Sequence, residues 1–182
     1  MGSMRMMFRQ GKHIRHVAAL VLPAALVAIP SAAAAPPPKD LWATVNICDT
    51  LAHPDRMGVR ASMPGNGTRE RMFMRFHAQY YDGSTNKWFD VKGIAASGWL
   101  YAGSARFRVR QAGYTFSFMA PKSGSAFVLR GVVDFQWRAV RRTRSGNRRV
   151  VVVRTLRANT KGGHPAAGAD PPGYSSGICE IR

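Results

Sequence analysis

Acidic side chains are what this chain has least of: nine aspartates and glutamates stand against 27 lysines and arginines. No two of them are closely paired, so there is little material for a two-carboxylate hydrolytic site. Cysteine is scarcer still. With only Cys48 and Cys179, and no CxxC spacing, a cysteine-rich zinc site and a dense disulfide framework are both excluded. The HExxH, GxSxG, P-loop and GxGxxG signatures are also missing. Past Leu41 no window carries the apolar stripe of an amphipathic helix. The one long apolar run, Val17–Ile29, falls short of the roughly 20 residues of a spanning helix and is broken by Pro23.

That run has another meaning. Arg5, Arg9, Lys12 and Arg15 precede it, and the small residues of "PSAAAA" follow, which is the layout of a secretory signal peptide. Cleavage is placed after Ala34. Residues 1–34 are then the signal, 35–40 ("APPPKD") a Pro-rich leader, and 41–182 a single folded domain. No cysteine follows the apolar run and no twin-arginine pair precedes it, so the expected route is general export and the expected location extracellular. In such a compartment a lone cysteine pair reads as a disulfide, Cys48 to Cys179, which draws both ends of the domain to one edge. Loss of the signal's four basic residues leaves 23 basic against nine acidic, a net charge of +14. A field of that sign favours anionic partners and weakens with salt.

What is present is period-two alternation broken by turn chemistry. Leu41–Cys48, Gly58–Met63, Arg69–Asp82, Lys87–Gly93, Ser104–Gln111, Ala112–Ala120 and Ala126–Arg141 all read as strands. In the third, Met72, Met74, Phe76, Ala78 and Tyr80 share one parity, and Arg71, Arg75, His77 and Gln79 the other. Ser104–Gln111 sets Phe107 and Val109 against Arg106, Arg108 and Arg110. Asp49–Asp55 reads as turn-rich, with Asp and Pro serving the backbone rather than converging with His53 on a metal. Strand candidates at this spacing predict an all-β antiparallel sandwich of about seven to nine strands.

The stretch "RAVRRTRSGNRRVVVVRTLR" (Arg138–Arg157) poses the sharpest question: disordered basic arm or hairpin. Leu129, Val133, Phe135 and Trp137 are apolar on odd positions, and four valines follow the arginines. A hairpin through Ser145-Gly146 or Gly146-Asn147 places Trp137, Phe135 and Ala139 on one face with Val150, Val152 and Leu156. Arg130, Arg138, Arg142, Arg149 and Arg157 then share the opposite face. A three-residue loop would bring Arg157 beside Phe135, so the two-residue turn is expected. Arg154 falls on the apolar parity, where its stem can cover Trp137 with its head in water.

The hairpin tip supplies the anion-binding candidates: Arg138, Arg141, Arg142, Arg144, Arg148, Arg149 and Arg157, whose forked donors suit phosphate or carboxylate. Charged tips also keep exposed sheets soluble and block edge pairing, which is the plainer account. No aromatic residue interleaves on the hairpin's arginine face, so stacking of single-stranded bases is not expected and nucleic acid is not the expected specific partner. The long segment Asn159–Gly177 is a second candidate contact, through His164, Asp170 and Tyr174. Neither a metal nor a cofactor is implied.

"WATVNICDT", the terminal "YSSGICEI" and "LRGVVDFQWR" between them resemble secreted actinobacterial proteins of unassigned function with an immunoglobulin-like sandwich. The resemblance spans most of Leu41–Arg182, implies an immunoglobulin-like fold and carries no catalytic residue. It departs from antibody domains because the cysteines lie at the two ends of the domain. The expected function is non-catalytic binding in the envelope or extracellular space, with anionic wall polymer, lipid head groups or another envelope protein as partners. The rivals are a secreted hydrolase using His53, His77 or His164, and a purely structural accessory domain.

Overall fold

A computed structural model describes residues 38–93, 96–164 and 167–182; the expected signal peptide, residues 1–34, and most of the expected leader lie outside them. The described chain is all-β, with nine strands in two antiparallel sheets and no helix. Among the described residues no helix is long and apolar enough to cross a membrane.

The smaller sheet holds β1 (Trp42–Thr50), β2 (His53–Pro64) and β6 (Val109–Ser117), in the order β1-β2-β6. The larger is built on two long central strands, β3 (Arg71–Asp82) and β7 (Phe127–Arg142), paired from Arg71↔Arg138 to Tyr80↔Leu129. β4 (Lys87–Asp90) and β5 (Leu100–Ser104) divide the other side of β3 between them, and β8 (Arg148–Asn159) and β9 (Cys179–Ile181) divide the other side of β7.

Alternation explains the core. Met72, Met74, Phe76 and Ala78 are fully buried, and Leu129, Val133, Phe135 and Trp137 are no more than 2% exposed. They meet Val45, Met57, Val59, Met63 and Phe116 of the smaller sheet, as in other sandwiches whose inner faces interdigitate. Tyr80 shares the parity but lies where β3 runs out of the sandwich, and stays 42% exposed. Gly131 is required by close approach: a Cβ there would come within 2.7 Å of the Val59 side chain.

Cys48 and Cys179 form the expected disulfide, tying β1 to β9 and so one sheet to the other. Closing 131 residues stabilises by about 4–5 kcal/mol on the chain-entropy account. The bond also points to an oxidising compartment.

Three local expectations fail. The turn-rich stretch shrinks to Leu51-Ala52: Thr50 pairs with His53, and β2 begins there. Asp49 stabilises this tight reversal by accepting from the Asp55 N–H, at 2.8 Å. Ser104–Gln111 is not one strand. Ala105–Arg108 turns, because Gly65, Asn66 and Gly67 donate to the Arg108 and Ala105 carbonyls and pull the chain off the sheet; β5 precedes the turn and β6 follows it. Phe107 is left 53% exposed with Arg110 over its ring at 3.7 Å.

The third correction is the hairpin register. The chain reverses through Arg144, Ser145 and Gly146, with the Thr143 N–H donating to the Asn147 carbonyl at 2.8 Å. Pairs near the tip are therefore Ala139↔Val151, Val140↔Val150, Arg141↔Arg149 and Arg142↔Arg148. Further in, Trp137 faces Arg154 and Phe135 faces Leu156. A bulge at Val153 absorbs the difference, so the three-residue loop never brings Arg157 to Phe135. Val150 and Val152 leave the face of Trp137 for that of Val140 and Arg138, and Arg149 moves to the face opposite Arg142. Arg154 does lie over Trp137, 5.1 Å from its ring centre.

Candidate functional site

The polar parity of β3 and β7 forms the outer face of the larger sheet. Arg71, Phe73, Arg75, His77 and Gln79 stand opposite Arg138, Gln136, Asp134, Val132 and Arg130. β5 adds Tyr101 beside Phe73, the segment before it adds Trp99, and β4 adds Trp88 beside Tyr81. Aromatic rings do therefore interleave with the arginines, against the expectation. They arrive from β3, β4 and β5 and the chain around them, not from the hairpin itself.

The rings are already covered. Arg138 lies over Phe73 at 4.2 Å and over Trp99 at 4.8 Å; Arg71 lies over Tyr101 at 4.7 Å and Phe73 at 5.5 Å. Arg130 covers Trp88 at 4.4 Å and forks onto the Gln79 side-chain carbonyl at 2.9 and 2.7 Å. Guanidinium stacking on rings fixes flat groups that otherwise sample many rotamers, at a gain of about 0.5–2 kcal/mol each.

Asp134 is the most engaged acid on this face. Asp134 accepts from Arg157 Nε at 2.6 Å and Nη2 at 3.1 Å, and pairs with His77 Nε2 at 2.9 Å. Burial alone would raise its carboxyl, but hydrogen bonds from Arg157 and His77 outweigh burial and hold it below the usual carboxylate range. Arg157 is therefore engaged by an acid, whereas Arg138 is held by rings and by the Gln136 side chain. Among the described residues Arg138, Arg141, Arg142, Arg144, Arg148 and Arg149 form no ion pair.

β3 reaches only as far as Arg138, so Ala139–Arg142 and Arg148–Val151 continue as a two-stranded ribbon. Directly opposed like charges, Arg141↔Arg149 and Arg142↔Arg148, repel across it, as do Arg71↔Arg138 at its root. Val140, Val150 and Val152 lie on the Arg138/Arg142 face, all at least half exposed.

The second candidate surface is a strap. Ser176 exchanges backbone hydrogen bonds with Val45, the Asp170 N–H donates to the Asn46 carbonyl, and Asn46 Nδ2 donates to the Gly168 carbonyl at 2.9 Å. It covers the free edge of β1. Thr50 donates its hydroxyl to the Asp170 carboxylate, the His164 ring stacks on Trp42 at 5.0 Å, and Tyr174 packs against the core. All three loop candidates thus make internal contacts.

The described histidines are dispersed: His53 lies 4.0 Å from Asp170, His77 on Asp134, and His164 on Trp42. Among the described residues no three His, Cys, Asp or Glu side chains converge as metal ligands.

Arg69, Arg71, Trp99 and Tyr101 were missed as site residues. The parity of β3 singled out Arg71, but its partnership with Arg138 depends on strand order, which no local pattern carries. The chain matches no protein-family model, and no curated protein matches its sequence.

Proposed function

We propose that this chain is an exported, immunoglobulin-like module that acts by binding, gripping anionic polymer of the envelope or extracellular space with the β7–β8 ribbon. The observation that carries the reading is the opposed arginine pairs, Arg141↔Arg149 and Arg142↔Arg148, which have no acidic partner among the described residues. Solubility alone asks for charge at the surface, not for like charges in register, where they destabilise the ribbon. A polyanion laid along the ribbon removes that repulsion.

The immunoglobulin-like assignment draws support from strand order. β1-β2-β6 against β4-β3-β7-β8 is the order of A-B-E against C′-C-F-G. The disulfide departs from it by joining the first and last strands. Export draws support from that bond and from the leader's pattern. A binding role rather than hydrolysis draws support from the separate internal contacts of the three histidines.

The test is retention of the mature chain on phosphate-bearing wall polymer, anionic vesicles and DNA across a salt series. Charge reversal at Arg141, Arg142, Arg148 and Arg149 is expected to flatten the log–log salt dependence by about 3–4. Retention that survives the reversal unchanged rejects the ribbon. Retention on vesicles alone moves the ligand to lipid head groups, and retention nowhere leaves an accessory structural domain.

A further inference from the structure

At the root of the ribbon the outer face is concave. Arg69, Arg71, Arg138 and Arg148, with Val140 and Glu70, line a cavity of about 440 Å³. The arginines come from the entry to β3 and from β3, β7 and β8, so their donors approach from more than one side. Two are held in place before any ligand arrives. Arg71 and Arg138 are direct cross-strand partners, both stacked on the Phe73 ring, and Arg138 Nε is fixed by the Gln136 side-chain carbonyl at 2.9 Å.

The charge there is uncompensated. Among the described residues none of the four arginines forms an ion pair. Glu70, the one carboxylate on the wall, accepts from Asn66 Nδ2 at 2.8 Å instead. Two guanidinium groups held on a ring, beside a carboxylate that is bonded to Asn66 rather than to them, make a partly preorganised oxyanion site. A carboxylate offers two oxygens in one plane and satisfies one fork. The phosphorus of a phosphodiester carries two unesterified and two bridging oxygens in a tetrahedral arrangement, so its acceptors leave a single plane and can meet forks from different strands.

We infer that this cavity is a recognition site for a single phosphoryl group, supplied by a phosphodiester polymer or a phospholipid head group. It rests on the polyanion reading for its natural ligand, and adds that the protein distinguishes phosphate from carboxylate. The ribbon beyond it supplies charge; the cavity supplies the preference.

The test compares the disulfide-intact chain on polyphosphate, on phosphatidylglycerol vesicles and on polyglutamate, alongside melting in inorganic phosphate against acetate at equal ionic strength. Wild type is expected to prefer a phosphate-bearing probe to polyglutamate by about tenfold, roughly the discrimination of one well-placed charge-assisted hydrogen bond. Inorganic phosphate is expected to raise its melting temperature above that in acetate. Arg71→Lys with Arg138→Lys keeps the charge but removes the forks, and is expected to abolish both the preference and the phosphate-specific stabilisation while leaving the salt dependence unchanged. Should that pair disturb folding, Arg69→Lys with Arg148→Lys lies outside the ring stack and is expected to reduce the preference. Binding all probes equally, or a preference that survives both lysine pairs, overturns the site while leaving the ribbon reading intact. A phosphate-specific rise in melting temperature without retention on any polymer or vesicle sinks the ribbon reading and keeps the site. Preference for polyphosphate or for vesicles identifies the source of the phosphoryl group.

Discussion

The inner and outer halves of the β7–β8 hairpin share two strands and differ in nearly everything else. From Leu129 to Trp137, β7 has β3 on one side, β8 or β9 on the other and the smaller sheet beneath. From Ala139 outward it has β8 alone. The inner half obeys strict alternation because a misplaced polar group there would be buried against Met74 or Phe76. Along the ribbon both faces are wet, so alternation decides little, and the register shifts by one residue at Val153. Burial specifies structure; where burial ends, charge and turn geometry take over.

The largest test of that contrast is the disulfide that holds the inner half closed. Replacing Cys48 and Cys179 with serine is expected to lower unfolding free energy by about 4–5 kcal/mol in denaturant titration. Next comes Trp137→Ala, which removes a ring 2% exposed and the Nε1 hydrogen bond to the Pro64 carbonyl. A loss of about 3–5 kcal/mol is expected, whereas Val150→Ala on the ribbon should stay within about 0.5. Comparable losses at the two positions would erase the distinction.

A smaller effect should appear in acid. Asp134 is held below its ordinary range when folded, so its contribution is fully present above the unfolded carboxylate value of about 3.9 and disappears as pH falls through the lower folded value. Asp134→Asn is expected to be less stable than wild type near neutrality and to converge with it below about pH 4, in melting curves collected across pH. Parallel pH profiles would remove the acid anchor from the account. The smallest effect carries the most unusual sign. Arg141→Glu sets an acid directly opposite Arg149, and should raise stability by about 0.2–1 kcal/mol while weakening retention on polyanion. A variant that loses both would show that the arginines support the fold rather than a ligand.

Much of the sandwich was legible. Parity picked out the buried Met72, Met74 and Phe76, and the cysteine pair was read from composition and leader alone. The hairpin's outer register was not. Val150–Val153 offers four chemically equivalent neighbours, so a ladder can slip along it with no polar residue entering the core, and nothing in the run marks which valine is extra. Deleting Val153 should therefore leave both halves paired as before. The arginine-lined cavity was hidden for a different reason: Arg71 and Arg138 are 67 positions apart and meet only through β3–β7 pairing. Ala105–Arg108 alternated well and still turned, because backbone donors from residues 65–67 competed for its carbonyls.

The strap has one more implication. It sheathes β1, while β9 shields part of β7, so edges of both strands stay uncovered until the residues after Asn159 are made. A nascent chain that has reached Asn159 has every other strand and yet still displays bare edges able to recruit a neighbour's. Assembly is thus back-loaded, and anything that guards these chains as they emerge must hold on until Cys179 appears.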